Sequence, residues 1–369
     1  MQHSFLPPSG AAAWSKCAQW PSMNKKFPQD DSSESLEGTA AHWVLSEMLA
    51  GRIHKEGSLA PNSIMVTGEM LDGAELVLDT LSARKMLGPG LHIEETVSIP
   101  IHPDCFGTPD VWAFNLGAAH LEIIDYKFGH GFVDEYFNPQ GLLYMIGILE
   151  KLKVQIINPM LVTVSFTICQ PRCFYRGAPV RTHNYTVQEA AEHLLKLRRA
   201  AEAAMSPFPL ATTNPECDHC PGRHACDALQ EAAYSDAEFA SDRQPHDLTP
   251  QAAALELRML SRSLERLGAR VTGLQELTLA NMRAGARVAH YRIEAGRGRR
   301  QWTTSPEQII TIGKMLGKDL SKPGVITPAQ AEKIIDASVI SAYSVNTPGA
   351  AKLVPEHNDA ASRVFGRGN

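Results

Sequence analysis

No apolar run in the chain approaches the roughly 20 residues that span a bilayer, so no membrane-spanning helix is expected. Nor is there an excess of positive charge. The 35 Lys and Arg against 40 Asp and Glu leave a formal net charge of −5. A uniformly basic nucleic-acid coat is therefore excluded, and any such contact has to be a local patch. The N-terminus has no basic region followed by a continuous apolar core, so no signal peptide is expected. The seven cysteines are an odd number in a large chain without an export signal. That favours a cytoplasmic, reducing setting in which thiols serve metal binding or packing.

What is present is ordinary for a globular chain: 369 residues, 44% hydrophobic and 20% charged. This length suits one large domain with a smaller one, or two domains. The most informative stretch is Asp104 to Tyr144. Two β-prone segments, Phe106–Phe114 and His120–Tyr126, flank the turn-like Asn115-Leu116-Gly117-Ala118, which is a hairpin signal. With the turn centred there, facing residue numbers sum to about 233–235. Facing residues, and residues two apart on one strand, share a sheet face. Asp110, Asp125 and Lys127 are thus expected on one face. Two carboxylates and an ammonium can form a cross-strand salt bridge, or a metal-plus-phosphate site.

The flanking segments supply further candidates. Ser35-Leu-Glu-Gly-Thr leads into a helical pattern over Ala40–Ala50, with His42 in its first turn. His42 reads either as a packed or capping residue or as a neutral imidazole ligand. Met65–Met86 has a helical pattern, and Leu91–Ile101 reads as one extended strand. After Lys127, Gly129-His130-Gly131 forms a loop beside the candidate site. Asn138-Pro139-Gln140 opens a helix through Leu152, in which Gln140 and Tyr144 lie one turn apart on one face. Leu161–Cys169 reads as a buried strand. Helix, strands, helix, strand in that order describes an α/β core with a mixed sheet.

Cys217-x-x-Cys220-x₅-Cys226 lies among turn-forming residues and implies a metal, with a fourth ligand from elsewhere. Zinc held with His219 or His224 is one reading. Cys17, alone in the irregular Met1–Asp31 segment, reads by itself as a packed hydrophobe. Cys105, Cys169 and Cys173 read as packed thiols. Further on, Ala228–Ala240 is acidic, as linker or helix, and Leu248-Thr249-Pro250 starts a long helix. Leu257, Leu260, Leu264, Leu267, Val271 and Leu274 make a heptad-like seam along it, fit for self-association or for packing on the core. Arg258, Arg262, Arg266 and Arg270 make a basic stripe, read as a solvated face. Gly296–Trp302 is Arg- and Gly-rich, a candidate for phosphate and base contacts. Pro306–Ile340 carries two short helical patterns, the second opening at Thr327–Lys333. The tail to Asn369 reads as loosely ordered.

His42 in Glu-Gly-Thr-Ala-Ala-His, Gly-Thr-Pro-Asp110, Asp125-Tyr126-Lys127 and Gln140-x-x-x-Tyr144 resemble, in order and spacing, the motifs of RecB-like nucleases of the PD-(D/E)XK superfamily. The resemblance implies a restriction-endonuclease-like core, a central mixed sheet flanked by helices, over residues 1–240, followed by a mainly helical C-terminal region over 241–369. It implies that His42, Asp110 and Asp125, helped by the Tyr126 carbonyl, bind Mg²⁺ or Mn²⁺. By the same resemblance Lys127 orients or activates the attacking water, and Gln140 and Tyr144 hold the DNA strand. Hard cations suit carboxylate ligands, and a lysine suits an anionic transition state.

The cysteine spacing resembles the iron–sulfur clasp of nucleases of this type, which implies Cys17 as fourth ligand beside Cys217, Cys220 and Cys226 and a 4Fe–4S cluster in place of zinc. The entrance segment Ser9–Trp20, the core motifs and Lys352-Leu-Val-Pro-Glu356 also resemble a phage-encoded family of uncharacterised RecB-like proteins. The expected activity is that of a metal-dependent deoxyribonuclease, an exonuclease on single strands or duplex ends in phage or bacterial recombination or repair. A phage single-strand annealing protein or a helicase would be its partner, in the bacterial host cytoplasm. The alternative is a non-catalytic DNA-binding recombination accessory protein on the same fold.

Overall fold

The computed structural model describes residues 4–28, 31–173, 177–241, 247–304, 306–321, 327–332 and 334–355. Along the chain come α1 (Ala11–Trp14), α2 (Trp20–Lys26), α3 (Ser33–Leu49) and α4 (Gly68–Ala83). Strands β1 (Leu91–Ile93), β2 (Val97–Ser98), β3 (Phe106–Gly107), β4 (Val111–Asn115) and β5 (His120–Tyr126) follow. Then come α5 (Pro139–Lys151), β6 (Thr163–Cys169), β7 (Val180–Thr186), α6 (Val187–Ala204), α7 (Asp227–Ser241) and α8 (Pro250–Arg283). The last elements are β8 (Tyr291–Trp302), α9 (Pro306–Met315), α10 (Pro328–Ala331), α11 (Ala337–Ala342) and β9 (Ser344–Pro355). Contacts divide the chain into Met1–Arg270 and Val271–Asn369.

In the first unit a five-stranded sheet runs β1-β4-β5-β6-β7. All neighbours are antiparallel except β5 and β6, which are parallel with α5 as their crossover. The fold is therefore a mixed α/β core with helices on both faces. The hairpin register is the expected one: Val111 faces Ile124 and Asn115 faces His120. Alternation then sorts the side chains. Leu121, Ile123, Val164, Phe166 and Ile168 turn to the side covered by α5 and α6, where Leu142, Leu143, Met145 and Ile148 meet them. Val111, Ile124, Tyr126 and Cys169 turn to the side covered by α3 and α4, through Ala41, Val44, Leu45, Met70 and Val77. Each fully buried aliphatic side chain of this kind contributes about 1.5–3 kcal/mol.

Local chemistry sets where the helices start. Ser32 caps α3 by accepting from the Ser35 amide, and Thr67 caps α4 through the Met70 amide. Asn138 caps α5 by accepting from the Gln140 and Gly141 amides. A Thr186–Glu189 capping box opens α6. Gly141 lets α5 settle onto the sheet, since a Cβ there would stand 2.5 Å from the Phe166 ring.

Several expectations are corrected. The N-terminal segment is not irregular. It forms short helical turns that bury Leu6 and Trp14 completely, and the Trp14 indole donates to the Pro7 carbonyl at 2.9 Å. Leu91–Ile101 is not one strand. Glu94 takes a φ of 46°, and its amide donates to the Asp110 carbonyl, so the chain leaves β4 and forms a separate two-stranded sheet with β3. Phe106–Phe114 is likewise broken at Thr108–Asp110.

On α8 the arginine stripe is solvated, as expected, at Arg258 and Arg262 but not in its C-terminal half. Leu257 and Leu264 are exposed, whereas Ala269 and Arg270 are buried. Arg266 pairs with Asp236 at 3.2 Å. Arg270 donates to the His224 carbonyl and to Gln230 at 2.9 Å. Half of the arginine stripe is thus a packing face.

The second unit holds the end of α8, the antiparallel pair β8 and β9, and three short helices. Its small core gathers Ile309, Leu320, Ala331 and Ile340, with Trp302, Ile312 and Ile335 against them. A mainly helical region was expected. The 12-residue strands β8 and β9 are an addition: two-residue alternation in β8 stops at Ala295, where the sequence turns Gly- and Arg-rich, and β9 carries Pro348 and Gly349 at its middle. The side chains of 295–301 lie outside the description, so the reading of those arginines is not met by it. Lys333, Glu356 and the tail to Asn369 also lie outside the described residues.

Candidate active site

The site forms where the start of β4, the end of β5, α3 and the first turn of α5 converge. Asp110 enters β4 with both carboxylate oxygens engaged. Its Oδ2 accepts from the Tyr126 amide at 2.7 Å, and its Oδ1 lies 3.1 Å from His42 Nδ1 on α3. Asp125, only 2% exposed, sits on β5 under α5. Lys127 Nζ makes an ion pair with Asp125 Oδ2 at 2.9 Å and donates to Gln140 Oε1 at 3.0 Å. Gln140 Nε2 closes the ring by donating to Asp125 Oδ1 and to the Tyr144 hydroxyl, each at 3.1 Å.

His42, Asp110, Asp125, Lys127, Gln140 and Tyr144 are therefore brought together. Tyr126 joins through its amide. Its ring points to the other side of the sheet, into the α3–α4 core and 5.3 Å from the His42 ring.

Charge is unevenly shared among these groups. Burial works against the charge on Asp110, but His42, Lys127 and the Tyr126 amide outweigh it and hold the carboxyl below its usual range. For Asp125, burial together with the charge of Asp110 outweighs Lys127 and pushes the carboxyl up. Lys127 is desolvated as well, yet the two aspartates raise it, so it stays an ammonium. Burial of His42 is overcome by Asp110, and its imidazole is raised. The environments thus push the two carboxyls in opposite directions beside an ammonium that both of them favour in its charged form.

Glu94 is a further acid that sequence reasoning placed in a strand and did not count. Desolvation and then the charge of Asp110 raise its carboxyl, which interacts with Ser46 one turn beyond His42 on α3. Its positive φ aims it there. Strand periodicity carries no sign of this, because the turn comes from one residue.

The donor set is two carboxylates and an imidazole, with Glu94 in the same field. It fits a hard divalent cation. Among the described residues no three His, Cys, Asp or Glu side chains stand ready as a metal cage. The carboxylate oxygens face protein donors here, so a cation has to replace Lys127 or His42 on them.

Cys17, Cys217, Cys220 and Cys226 line one cavity with Trp20, Met23 and Leu229. Its described lining includes neither His219 nor His224. The Thr212 amide donates to Cys17 Sγ at 3.5 Å and the Asn214 amide to Cys217 Sγ at 3.4 Å. Burial pushes the Cys220 thiol up to about 11 and raises Cys217, and the neighbouring thiols add to both. A Lys16–Glu216 ion pair at 2.8 Å ties the same two segments together. Cys105, Cys169 and Cys173 are buried elsewhere as packed thiols.

Fold and site together define a mixed α/β protein with a partly buried Asp–Asp–Lys constellation at the end of its central hairpin. The chain belongs to the family described as protein of unknown function DUF2800, whose profile matches residues 3–361. Among solved structures it is similar to a candidate exonuclease from Eubacterium rectale, with 9% identity and a TM-score of 0.34. The match covers 67% of this chain and 91% of that one, a likeness too slight to carry an argument. Among the described residues no helix is long and apolar enough to cross a membrane.

Proposed function

We propose that this chain is a metal-dependent deoxyribonuclease of the RecB-like PD-(D/E)XK kind, an exonuclease of phage or bacterial DNA recombination or repair. The observation that carries the reading is the closed contact set of Asp125, Lys127 and Gln140, with Asp110 and His42 on the facing strand and helix. It joins residues from four elements in the order the motifs require. Asp110, Asp125 and His42 would hold Mg²⁺ or Mn²⁺. The bound ion would neutralise charge on the phosphate and lower the pKa of a coordinated water.

The chain's own residues do the rest. Lys127, kept charged by the two aspartates, stabilises the charge that develops on the phosphoryl oxygens. Gln140 fixes the Lys127 ammonium and one Asp125 oxygen at once, so the two cannot drift apart. Tyr144, on the next turn of α5 and buried, accepts from Gln140 and so backs the amide that would meet the strand beside the scissile phosphate.

The four-cysteine cavity supports a 4Fe–4S cluster held by Cys17, Cys217, Cys220 and Cys226. Four cysteines and no histidine are among its described lining residues, and amide donors to two of the sulfurs are a feature that tunes such clusters. Ligation would close the chain around the nuclease core. Intact Asp110, Asp125 and Lys127 count against a non-catalytic accessory protein. The test is degradation of labelled single-stranded and duplex DNA in Mg²⁺ or Mn²⁺. Metal-dependent loss of substrate supports the enzyme. DNA binding without hydrolysis in either metal supports the accessory reading instead.

A further inference from the structure

Between Lys127 and Gln140 the chain makes an eleven-residue excursion, 128–138, held from beneath by side chains of β6 and β7. Gln170, just past β6 and fully buried, donates from Nε2 to the carbonyls of Gly129 (3.0 Å) and Gly131 (2.6 Å). Its Oε1 accepts from the Val133 amide at 3.3 Å and from Arg181 Nη2 at 3.0 Å. Arg181 also donates to the Val133 carbonyl at 2.7 Å. Three of the four hydrogen bonds of a buried amide thereby go to this loop, and the fourth comes from Arg181, which holds the loop as well. Such satisfied buried networks rigidify what they touch.

The two glycines have no internal explanation. Neither has a positive φ, and a Cβ on either would meet nothing within 4 Å among the described residues. Gly73, Gly107 and Gly141 differ, since a Cβ there would strike a neighbour at 2.4–2.7 Å. Glycine costs backbone entropy wherever it is used. Gly38, Gly90 and Gly268 are as unconstrained, but Gly129 and Gly131 alone of these follow directly on Lys127 in a clamped loop, where a bare Cα leaves room for close approach of something outside the chain.

We infer that Gly129–Gly131, clamped by Gln170, is the seat on which the phosphodiester backbone of the DNA strand lies as it enters the site beside Lys127. The inference rests on the nuclease reading and adds to it a binding surface and a positioning residue, Gln170. Two bare Cα positions let the strand pass at van der Waals distance, and the rigid clamp keeps the path aligned with Lys127.

The test uses the full chain carrying Gly129→Ala and Gly131→Ala together, with Gln170→Glu as a second variant. Glu keeps the acceptor for Arg181 and removes the donors to the glycine carbonyls. Affinity for a labelled oligonucleotide is read by fluorescence anisotropy in Ca²⁺, hydrolysis in Mg²⁺ or Mn²⁺, and stability by thermal melting. The expected result is about tenfold weaker binding and a matching rise in KM for both variants, with kcat within about threefold and the double-alanine melting point unchanged. Wild-type affinity and KM in either folded variant overturns the seat. If the wild type binds DNA but cleaves none, the nuclease reading fails while the seat is still judged by affinity. If the wild type neither binds nor cleaves, both fall.

Discussion

Gln140 Nε2 donates to Asp125 Oδ1 at 3.1 Å while Gln140 Oε1 accepts from Lys127 at 3.0 Å, so one amide spans the carboxylate and the ammonium. The bridge is directional, because the two ends of the amide are not interchangeable. Gln140→Ala removes it without leaving a charge behind. The expected result is a folded protein with kcat lowered about 10–100-fold, the scale of losing alignment rather than a reactive group. Gln140→Glu, which sets a third carboxylate against Asp125, is expected to lose more. Steady-state cleavage of a labelled oligonucleotide checks both.

Gly141 follows Gln140 and brings α5 against Phe166, where a Cβ would stand 2.5 Å from the ring. Gly141→Ala is therefore expected to destabilise by about 1–3 kcal/mol through overpacking, despite the better helix propensity of alanine. It should also lower kcat, since lifting α5 lifts Gln140 off Asp125. Urea denaturation and cleavage, measured on the same preparation, read the two effects. A stability equal to wild type would show that α5 is not seated as described.

Anaerobically purified protein is expected to be brown, with broad absorption near about 400 nm from thiolate-ligated iron. Cys17→Ala is expected to lose that colour as fully as Cys220→Ala, because all four thiols line the same cavity. A colourless preparation containing one zinc per chain would replace the cluster with a zinc site.

A cation that binds the folded site and not the unfolded chain raises stability by about 2.7 kcal/mol at a hundred times its Kd. Mn²⁺ is therefore expected to raise the wild-type melting point and to leave Asp125→Ala unmoved. An equal shift in both proteins would place the cation elsewhere.

Away from the site, hydrogen bonds from Arg52 and then His54 pull the Glu47 carboxyl from the ordinary 4.5 to about 2. A depressed carboxyl contributes stability that is present above its unfolded value and is lost as pH falls through its folded one. Wild type is expected to be the more stable of wild type and Glu47→Gln at pH 6, with the difference vanishing by about pH 2. Acid titration of the melting point checks the sign.

The parts of this fold legible beforehand are those fixed by local periodicity. The β4–β5 register followed from two-residue alternation around a short turn, and it placed Asp110, Asp125 and Lys127 on one face. The helical patterns around His42 and Gln140 gave α5 and the end of α3 to within a residue, but α3 starts at Ser33, seven residues before the expected Ala40, so His42 lies in its third turn and not its first. What escaped depends on single residues or on partners distant in sequence. Glu94 breaks a strand through its own φ and brings a third acid toward Asp110. The burial of Leu6 and Trp14 depends on a core that forms far along the chain. β7 and α6 were passed over, and with β7 the Arg181 that supports the loop beside Lys127. On α8 the leucine heptad suggested a seam for self-association or packing, but Arg266 and Arg270 are the residues with partners on α7 and in the cysteine segment. Charge pattern alone cannot tell a solvated arginine from a paired one.

The most direct test of the proposed nuclease centre is hydrolysis by wild type, Asp125→Ala and Lys127→Ala in Mg²⁺ or Mn²⁺. Breaking a buried pair costs about 3–5 kcal/mol when the remaining charge cannot be neutralised. Here Asp125 is already pushed toward its protonated form, so Lys127→Ala is expected to fold. The expected result is metal-dependent cleavage by wild type and a loss of about a hundredfold or more in both variants, with circular dichroism unchanged. Wild-type-like cleavage by either purified variant would contradict the assignment of Asp125 and Lys127 as the catalytic centre.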